Sequence, residues 1–172
     1  MTDRRLYDYI ISFIVLGDNN ERFIIDLSKE YGWGKHFSNM VYKEYLKFIY
    51  LCAINEKPLS PPILIDKVWK FHMGYSESYW HKLCEIILKK PLHRGFPSNI
   101  NIGIEKEFFR DTKLKYFEEF KEKPPKLIWG VDNNKYVNNL IQNSIFLLTR
   151  WKCIFLTSLI SVWIVIYILK GN

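Results

Sequence analysis

The chain has 172 residues, enough for one domain and a short appendage. Hydrophobic residues make up 48% of it and charged residues 25%, so it can bury a core, and an intrinsically disordered chain is excluded. The formal net charge is +7, but lysine and glutamate alternate along the sequence instead of forming a basic face. We therefore expect no nucleic-acid partner.

The first part of the chain carries apolar residues at helical spacing, which predicts three helices before a proline-rich break at residues 58–62. The first helix covers residues 4–16, the second begins after an Asn20 cap and ends at Tyr31, and the third covers residues 36–54. The side chains expected inside the domain are Leu6, Ile10, Phe13 and Ile14 in the first helix, Phe23, Ile24, Leu27 and Tyr31 in the second, and Phe37, Val41, Tyr45, Phe48 and Cys52 in the third.

Three further helices are predicted after the prolines: one over residues 62–73, one capped by Ser76 or Ser78, and one that ends at Pro124. Their expected inward side chains are Ile65, Val68, Trp69 and His72, then Tyr79, Trp80, Leu83, Cys84, Ile87 and Leu88, then Phe109, Tyr116, Phe117 and Phe120. No segment alternates with a period of two. The predicted fold class is therefore all-α, a compact bundle of about six helices in a soluble domain of residues 1–130.

The C-terminal segment 153–169 reads CIFLTSLISVWIVIYIL and carries no charge. As a helix it would extend about 26 Å, close to the thickness of a hydrocarbon core. We therefore predict a transmembrane helix over residues 151–170, preceded by a polar connector over residues 131–150. Arg150 and Lys152 favour a cytoplasmic domain, so the predicted protein is single-pass and tail-anchored, with the lipid bilayer as a partner.

The three cysteines show no C-x-x-C spacing, and Cys52 and Cys84 fall on apolar helical faces. Reduced thiols in a reducing compartment are expected. The sequence contains no P-loop and no G-x-G-x-x-G, G-x-S-x-G or H-E-x-x-H motif. The inward position of Cys84 also disfavours a cysteine–histidine nucleophile pair. These observations favour a binding or assembly module, with another protein as a partner, over an enzyme.

Five segments, taken in order, resemble a known family: KEYLKFIYL (43–51), PLSPPILIDKVWKFH (58–72), YSESYWHKLC (75–84), KKPLHRG (89–95) and EKPPKLIW (122–129). They are similar to the helical domain of the glycine-rich-domain-containing-protein-like family, found in plant proteins and in bacterial membrane proteins. The positions kept from the family's pattern are Pro61, Pro62, Asp66, Trp69, His72, Tyr79, Trp80, Pro91, Leu92 and His93. Lys70 and Arg94 stand where the family has histidines. The resemblance implies a helical fold beside a membrane and no known reaction.

Within that pattern, we interpret one group of residues as structural: Pro61, Pro62, Trp69, Tyr79 and Trp80. The remaining candidates for a ligand site are Asp66, Lys70, His72, His93 and Arg94. No metal or other cofactor is expected, because no histidine or acidic residue lies three or four positions from His72 on its helix.

Two interpretations of these polar residues stay open. In the first they support the fold: His72 is half-buried and bonded to a backbone carbonyl or a carboxylate, and Asp66 pairs with Lys70 or holds Arg94. In the second they form a polar site that binds an anion, or that serves a membrane-associated enzyme through Asp66, His72 and His93.

Overall fold

The structure, a computed structural model, describes residues 1–94 and 102–130. The described part of the chain contains helices and no strand, which confirms the all-α prediction. In chain order the helices are α1 (Arg4–Ile11), α2 (Glu21–Tyr31), α3 (Lys35–Ile54), α4 (Ile63–Met73), α5 (Glu77–Leu88), α6 (Ile102–Phe120) and α7 (Lys126–Trp129). The helix beyond the expected six is α7, a single turn.

The first helix ends at Ile11 rather than at residue 16. Beyond it Phe13 and Val15 are buried while Ile14 is 40% exposed, so the predicted inward position of Ile14 is wrong. The Asn20 side chain fixes this segment, because its Nδ2 donates to the Phe13 carbonyl and its Oδ1 accepts from the Val15 amide, both at 2.8 Å. Asn20 thus precedes α2 as predicted, but its side chain bonds the preceding loop and makes no cap to the helix.

The central element is α3, which packs against α1, α2, α4 and α6. Five of its large side chains are completely buried: Tyr45, Phe48, Ile49, Tyr50 and Leu51. Burial around the whole circumference is typical of a helix enclosed by others. Because burying one such side chain contributes about 1.5–3 kcal/mol, α3 supplies a large part of the core.

The fifth helix is a π-helical segment, whose turns are wider than those of an α-helix. Its buried side chains therefore recur five residues apart, as Ser78 with Leu83 and Tyr79 with Cys84. Trp80, Ile87 and Leu88, predicted inside from a 3.6-residue period, are only half-buried. The wider turn moves the inner face away from the position that the sequence period indicates.

On the sixth helix, two neighbouring residues that were both predicted to face the core differ in burial. Tyr116 is completely buried, whereas Phe117 is 49% exposed, so its predicted inward position is wrong. Consecutive residues on an α-helix point about 100° apart, and both rings could not face the same narrow stripe. Thr112 on the inner face accepts a hydrogen bond from the Ser60 amide at 2.9 Å, which joins α6 to the proline-rich loop.

A buried carboxylate holds α7 against α3. The Trp129 indole Nε1 donates to Glu44 Oε2 at 2.8 Å, and Lys47 Nζ lies 3.1 Å from Glu44 Oε1. The Tyr116 hydroxyl donates to Glu44 at 3.3 Å, and Lys47 also pairs with Glu122 at 2.8 Å. The charge of Glu44 is thus compensated on several sides, as a buried carboxylate requires.

Among the helices within residues 1–94 and 102–130, none combines the length and the apolar character needed to cross a membrane. The predicted connector (131–150) and the predicted transmembrane helix (151–170) lie outside the described residues.

We expect Trp129→Phe to lower the free energy of unfolding by about 2 kcal/mol, because it leaves one oxygen of buried Glu44 without its donor. Urea denaturation measures this loss as a lower midpoint at an unchanged slope. Trp33→Phe is the matched control: the Trp33 indole N–H is buried without a hydrogen-bond partner among the described residues. Equal losses in the two variants would contradict the role given to Glu44.

Candidate functional site

His72 lies in the centre of the core and not at a surface site. Its side chain is 0% exposed, so the expectation of a half-buried ring is wrong. Its Nδ1 is 2.8 Å from the Tyr45 hydroxyl and its Nε2 is 3.0 Å from the Ser78 hydroxyl. The partners are therefore hydroxyls of α3 and α5 rather than a backbone carbonyl or a carboxylate. The rings of Phe13, Phe23, Tyr45 and Tyr79 surround the imidazole.

Burial decides the protonation state of this histidine. Removal from water disfavours the charged imidazolium and lowers the pKa of His72 to about 3. Burial also raises the pKa of the Tyr45 hydroxyl well above its ordinary value. The site is therefore neutral at physiological pH, and the imidazole donates one hydrogen bond and accepts the other. With both nitrogens engaged inside the core, His72 stabilises the fold.

Asp66 and Arg94 form a two-point ion pair at the surface. Arg94 Nε donates to Asp66 Oδ1 at 2.6 Å, and Arg94 Nη2 donates to Oδ2 at 2.7 Å. The hydrogen bonds that it donates to Asp66 raise the pKa of the Arg94 guanidinium further. Of the two partners considered for Asp66, the structure selects Arg94. Lys70 is exposed and makes no ion pair with any residue that the structure describes.

This ion pair lies beside a cleft with a volume of about 500 Å³. Asp66, His93 and Arg94 line the cleft, whereas His72 and Lys70 do not. The other lining residues are Cys52, Asn55, Glu56, Lys57, Pro58, Leu59, Ser60, Pro61, Ile63, Trp69, Lys90, Pro91 and Leu92. The structure thus divides the five predicted site residues between a cleft, the core and an outer helix face.

The residues interpreted as structural hold the wall of the cleft in place. The Tyr79 hydroxyl accepts from Trp69 Nε1 at 2.6 Å and donates to the Leu92 carbonyl at 2.5 Å. The Trp80 ring lies 5.6 Å from the His93 ring, centre to centre. These contacts join α4 and α5 to the irregular segment 91–94, which carries His93 and Arg94 to the cleft.

Lys57 and Lys90 are cleft residues that sequence reasoning missed. Lys90 Nζ donates to the carbonyls of Ala53 at 2.7 Å and Cys52 at 3.3 Å, where the last turn of α3 leaves carbonyls free. A cation at a helix C-terminus is also favoured by the helix dipole. This placement depends on the left-handed turn at Lys89, with φ of 53°, which no local pattern indicated.

Neither described cysteine is activated. Cys52 and Cys84 are both buried and unbonded to each other. Burial raises the pKa of each thiol, which disfavours the nucleophilic thiolate. Within the described ranges, no three histidine, cysteine, aspartate or glutamate side chains gather closely enough to hold a metal ion.

Comparisons with protein-family models, with curated proteins and with solved structures found no match to this chain. The resemblance to the glycine-rich-domain-containing-protein-like family stays a prediction.

The free energy of unfolding should decrease as the pH is lowered, because of His72. As pH drops through about 6.5 the unfolded chain binds a proton at this residue, whereas the folded chain does not until about pH 3. We expect a loss of about 2 kcal/mol between about pH 7.5 and about pH 5. Urea titrations at each pH measure it.

The control for this pH series is the His72→Gln variant, in which the free energy of unfolding should depend much less on pH. The pKa of exposed His81 is raised by the hydrogen bond that its ring donates to Glu85, so His81 changes the free energy of unfolding with pH in the opposite sense. Both proteins therefore carry His81→Gln. A dependence that persists unchanged in His72→Gln would show that another group causes it.

A double-mutant cycle should detect the ion pair at the cleft. We expect Asp66→Asn and Arg94→Gln to show a coupling of about 1 kcal/mol that weakens in high salt, because both side chains are about one-third exposed. The same cycle with Lys70→Gln in place of the arginine variant should give a coupling near zero. The reverse order of these couplings would favour an Asp66–Lys70 pair.

Proposed function

We propose that the chain is a membrane-tethered binding module whose helical domain presents the cleft beside the Asp66–Arg94 ion pair to a ligand. The observation that carries this proposal is the cleft itself. Its volume of about 500 Å³ lies in the range of small-molecule sites. Its walls combine apolar and charged side chains, and the hydrogen bonds that Trp69, Tyr79 and Lys90 donate hold these walls in place.

Binding explains the arrangement better than catalysis. An enzyme that used Asp66, His72 and His93 would need the three side chains around one substrate, but His72 is sealed in the core. Both carboxylate oxygens of Asp66 accept hydrogen bonds from Arg94, which leaves the carboxylate poorly placed to accept a proton. A membrane-associated enzyme built on this cluster, the competing class of protein, would therefore lack His72 at its active site.

The tether rests on the sequence. Residues 153–169 are uncharged, and Lys152 and Lys170 at their ends can reach the interfaces of a bilayer. The excess of basic residues on the N-terminal side favours a domain on the cytoplasmic face. The bilayer is the first partner of the protein, and the ligand of the cleft, free or carried by another protein, is the second.

Deleting residues 150–172 should move the protein from the membrane fraction to the soluble fraction, because the deletion removes the uncharged segment. Cell fractionation followed by alkaline extraction measures the distribution.

A second variant separates loss of the tether from loss of the chain end. Ile160→Lys with Ile164→Lys keeps the length but puts two charges at the middle of the segment, at a cost of about 5 kcal/mol for insertion. It should behave like the deletion. Full retention of either variant in extracted membranes would refute the proposed tether.

A further inference from the structure

We propose that the cleft binds a phosphomonoester, the phosphate group lying against Arg94, Lys90 and Lys57 and the organic part against the proline-rich wall. This inference rests on the proposed role of the cleft as a binding surface and names the class of ligand. The phosphate could belong to a soluble molecule or to a lipid headgroup, since the chemistry that recognises it is the same.

The charges that line the cleft favour an anion. Three permanent cations line it, Lys57, Lys90 and Arg94, against the carboxylates of Glu56 and Asp66. Asp66 is already neutralised by its two-point contact with Arg94. The lining therefore keeps a formal positive charge, which attracts an anion such as a phosphomonoester, whose charge at neutral pH lies between about −1.5 and −2.

Among the residues that the structure describes, Arg94 keeps donors free for such a group. A guanidinium has five N–H donors, and the contact with Asp66 uses one on Nε and one on Nη2. Nη1 and the second hydrogen of Nη2 form another edge, which suits two oxygens of a phosphate. Asp66 acts as a positioning residue, because its carboxylate fixes the plane in which that edge lies.

Lys90 is also held in place before any ligand arrives. Its ammonium group has three donors, and the carbonyls of Ala53 and Cys52 accept two of them. The third has no partner in the described part of the chain and remains for a ligand oxygen. A cation already ordered by the end of α3 loses little conformational entropy on binding, which raises affinity. His93, which is exposed and packed beside Trp80, also lines the cleft.

The size and the apolar wall indicate an ester rather than the inorganic ion. Pro58, Leu59, Pro61 and Ile63 line the same cleft as the cations, and Ile63 is 43% exposed. A cleft of about 500 Å³ is far larger than one phosphate ion needs. The apolar side chains would bury the carbon skeleton of the ester, and the cations would bind its head.

The first test is calorimetric titration of glycerol 3-phosphate into the full chain held in a neutral detergent, with sodium chloride at matched ionic strength as the blank. We expect saturable binding that weakens at least ten-fold in the Lys57→Gln, Arg94→Gln variant. Lys57→Gln alone, at an exposed residue whose change leaves the fold intact, should weaken binding about three-fold. Lys70→Gln, which removes an exposed cation outside the cleft, should leave affinity unchanged.

The second test identifies the source of the phosphate. The full chain is placed in nanodiscs of phosphatidylcholine with or without phosphatidic acid, and the titration is repeated. Competition by phosphatidic acid assigns the cleft to a lipid headgroup, and undiminished binding assigns it to a soluble ester. Either result supports the phosphomonoester chemistry.

The proposal is overturned if two results occur together. Glycerol 3-phosphate does not bind saturably in detergent, and phosphatidic acid in nanodiscs does not bind in a way that depends on Lys57 and Arg94. It is also overturned if the double variant and Lys70→Gln bind equally. The detergent titration does not depend on the tether. A chain that binds glycerol 3-phosphate but is found in the soluble fraction would refute only the tether. A chain that stays in the membrane fraction but does not bind the ester would refute only the proposed ligand.

Discussion

The domain depends on one buried imidazole that is paired on both sides. His72 on α4 lies between the hydroxyls of Tyr45 on α3 and Ser78 on α5, so three helices meet at a single side chain. A buried polar group left unpaired costs about 1–3 kcal/mol, which makes any relative shift of these helices unfavourable. The aromatic rings around the imidazole keep water out and keep it neutral. The core therefore has one preferred arrangement.

The arrangement of the core also sets the shape of the cleft, because α4 contributes to both. His72 faces the core, whereas Asp66 faces the cleft and Trp69 links the two regions through Tyr79 and Leu92. The wide turns of α5 bring Ser78 and Tyr79 side by side onto α4. One residue then completes the core and the other holds the wall that carries Arg94. A binding surface built from an irregular segment gains its rigidity from the helices behind it.

The helices between residues 20 and 73 follow from the sequence because apolar spacing, proline and glycine agree there. The end of α1 does not, since the side chain of Asn20 reaches back to bond the loop. The inner face of α5 was misplaced because a π-helical turn has no signal in a 3.6-residue period. At the site, the sequence allows Asp66 to pair with either Lys70 or Arg94, and the structure has the pair with Arg94. The full burial of His72 and the position of Lys90 depend on tertiary contacts that no single segment encodes.

The contact between Trp129 and Glu44 has a mechanical consequence. Tension transmitted through the backbone at Gly130 reaches α7 first, a single turn whose last residue is bonded to the middle of the central helix. Tension there is applied to α3, the most deeply buried element, and also to α4 and α6, which α7 contacts. The Trp129 side chain therefore distributes tension applied at Gly130 over several helices of the hydrophobic core.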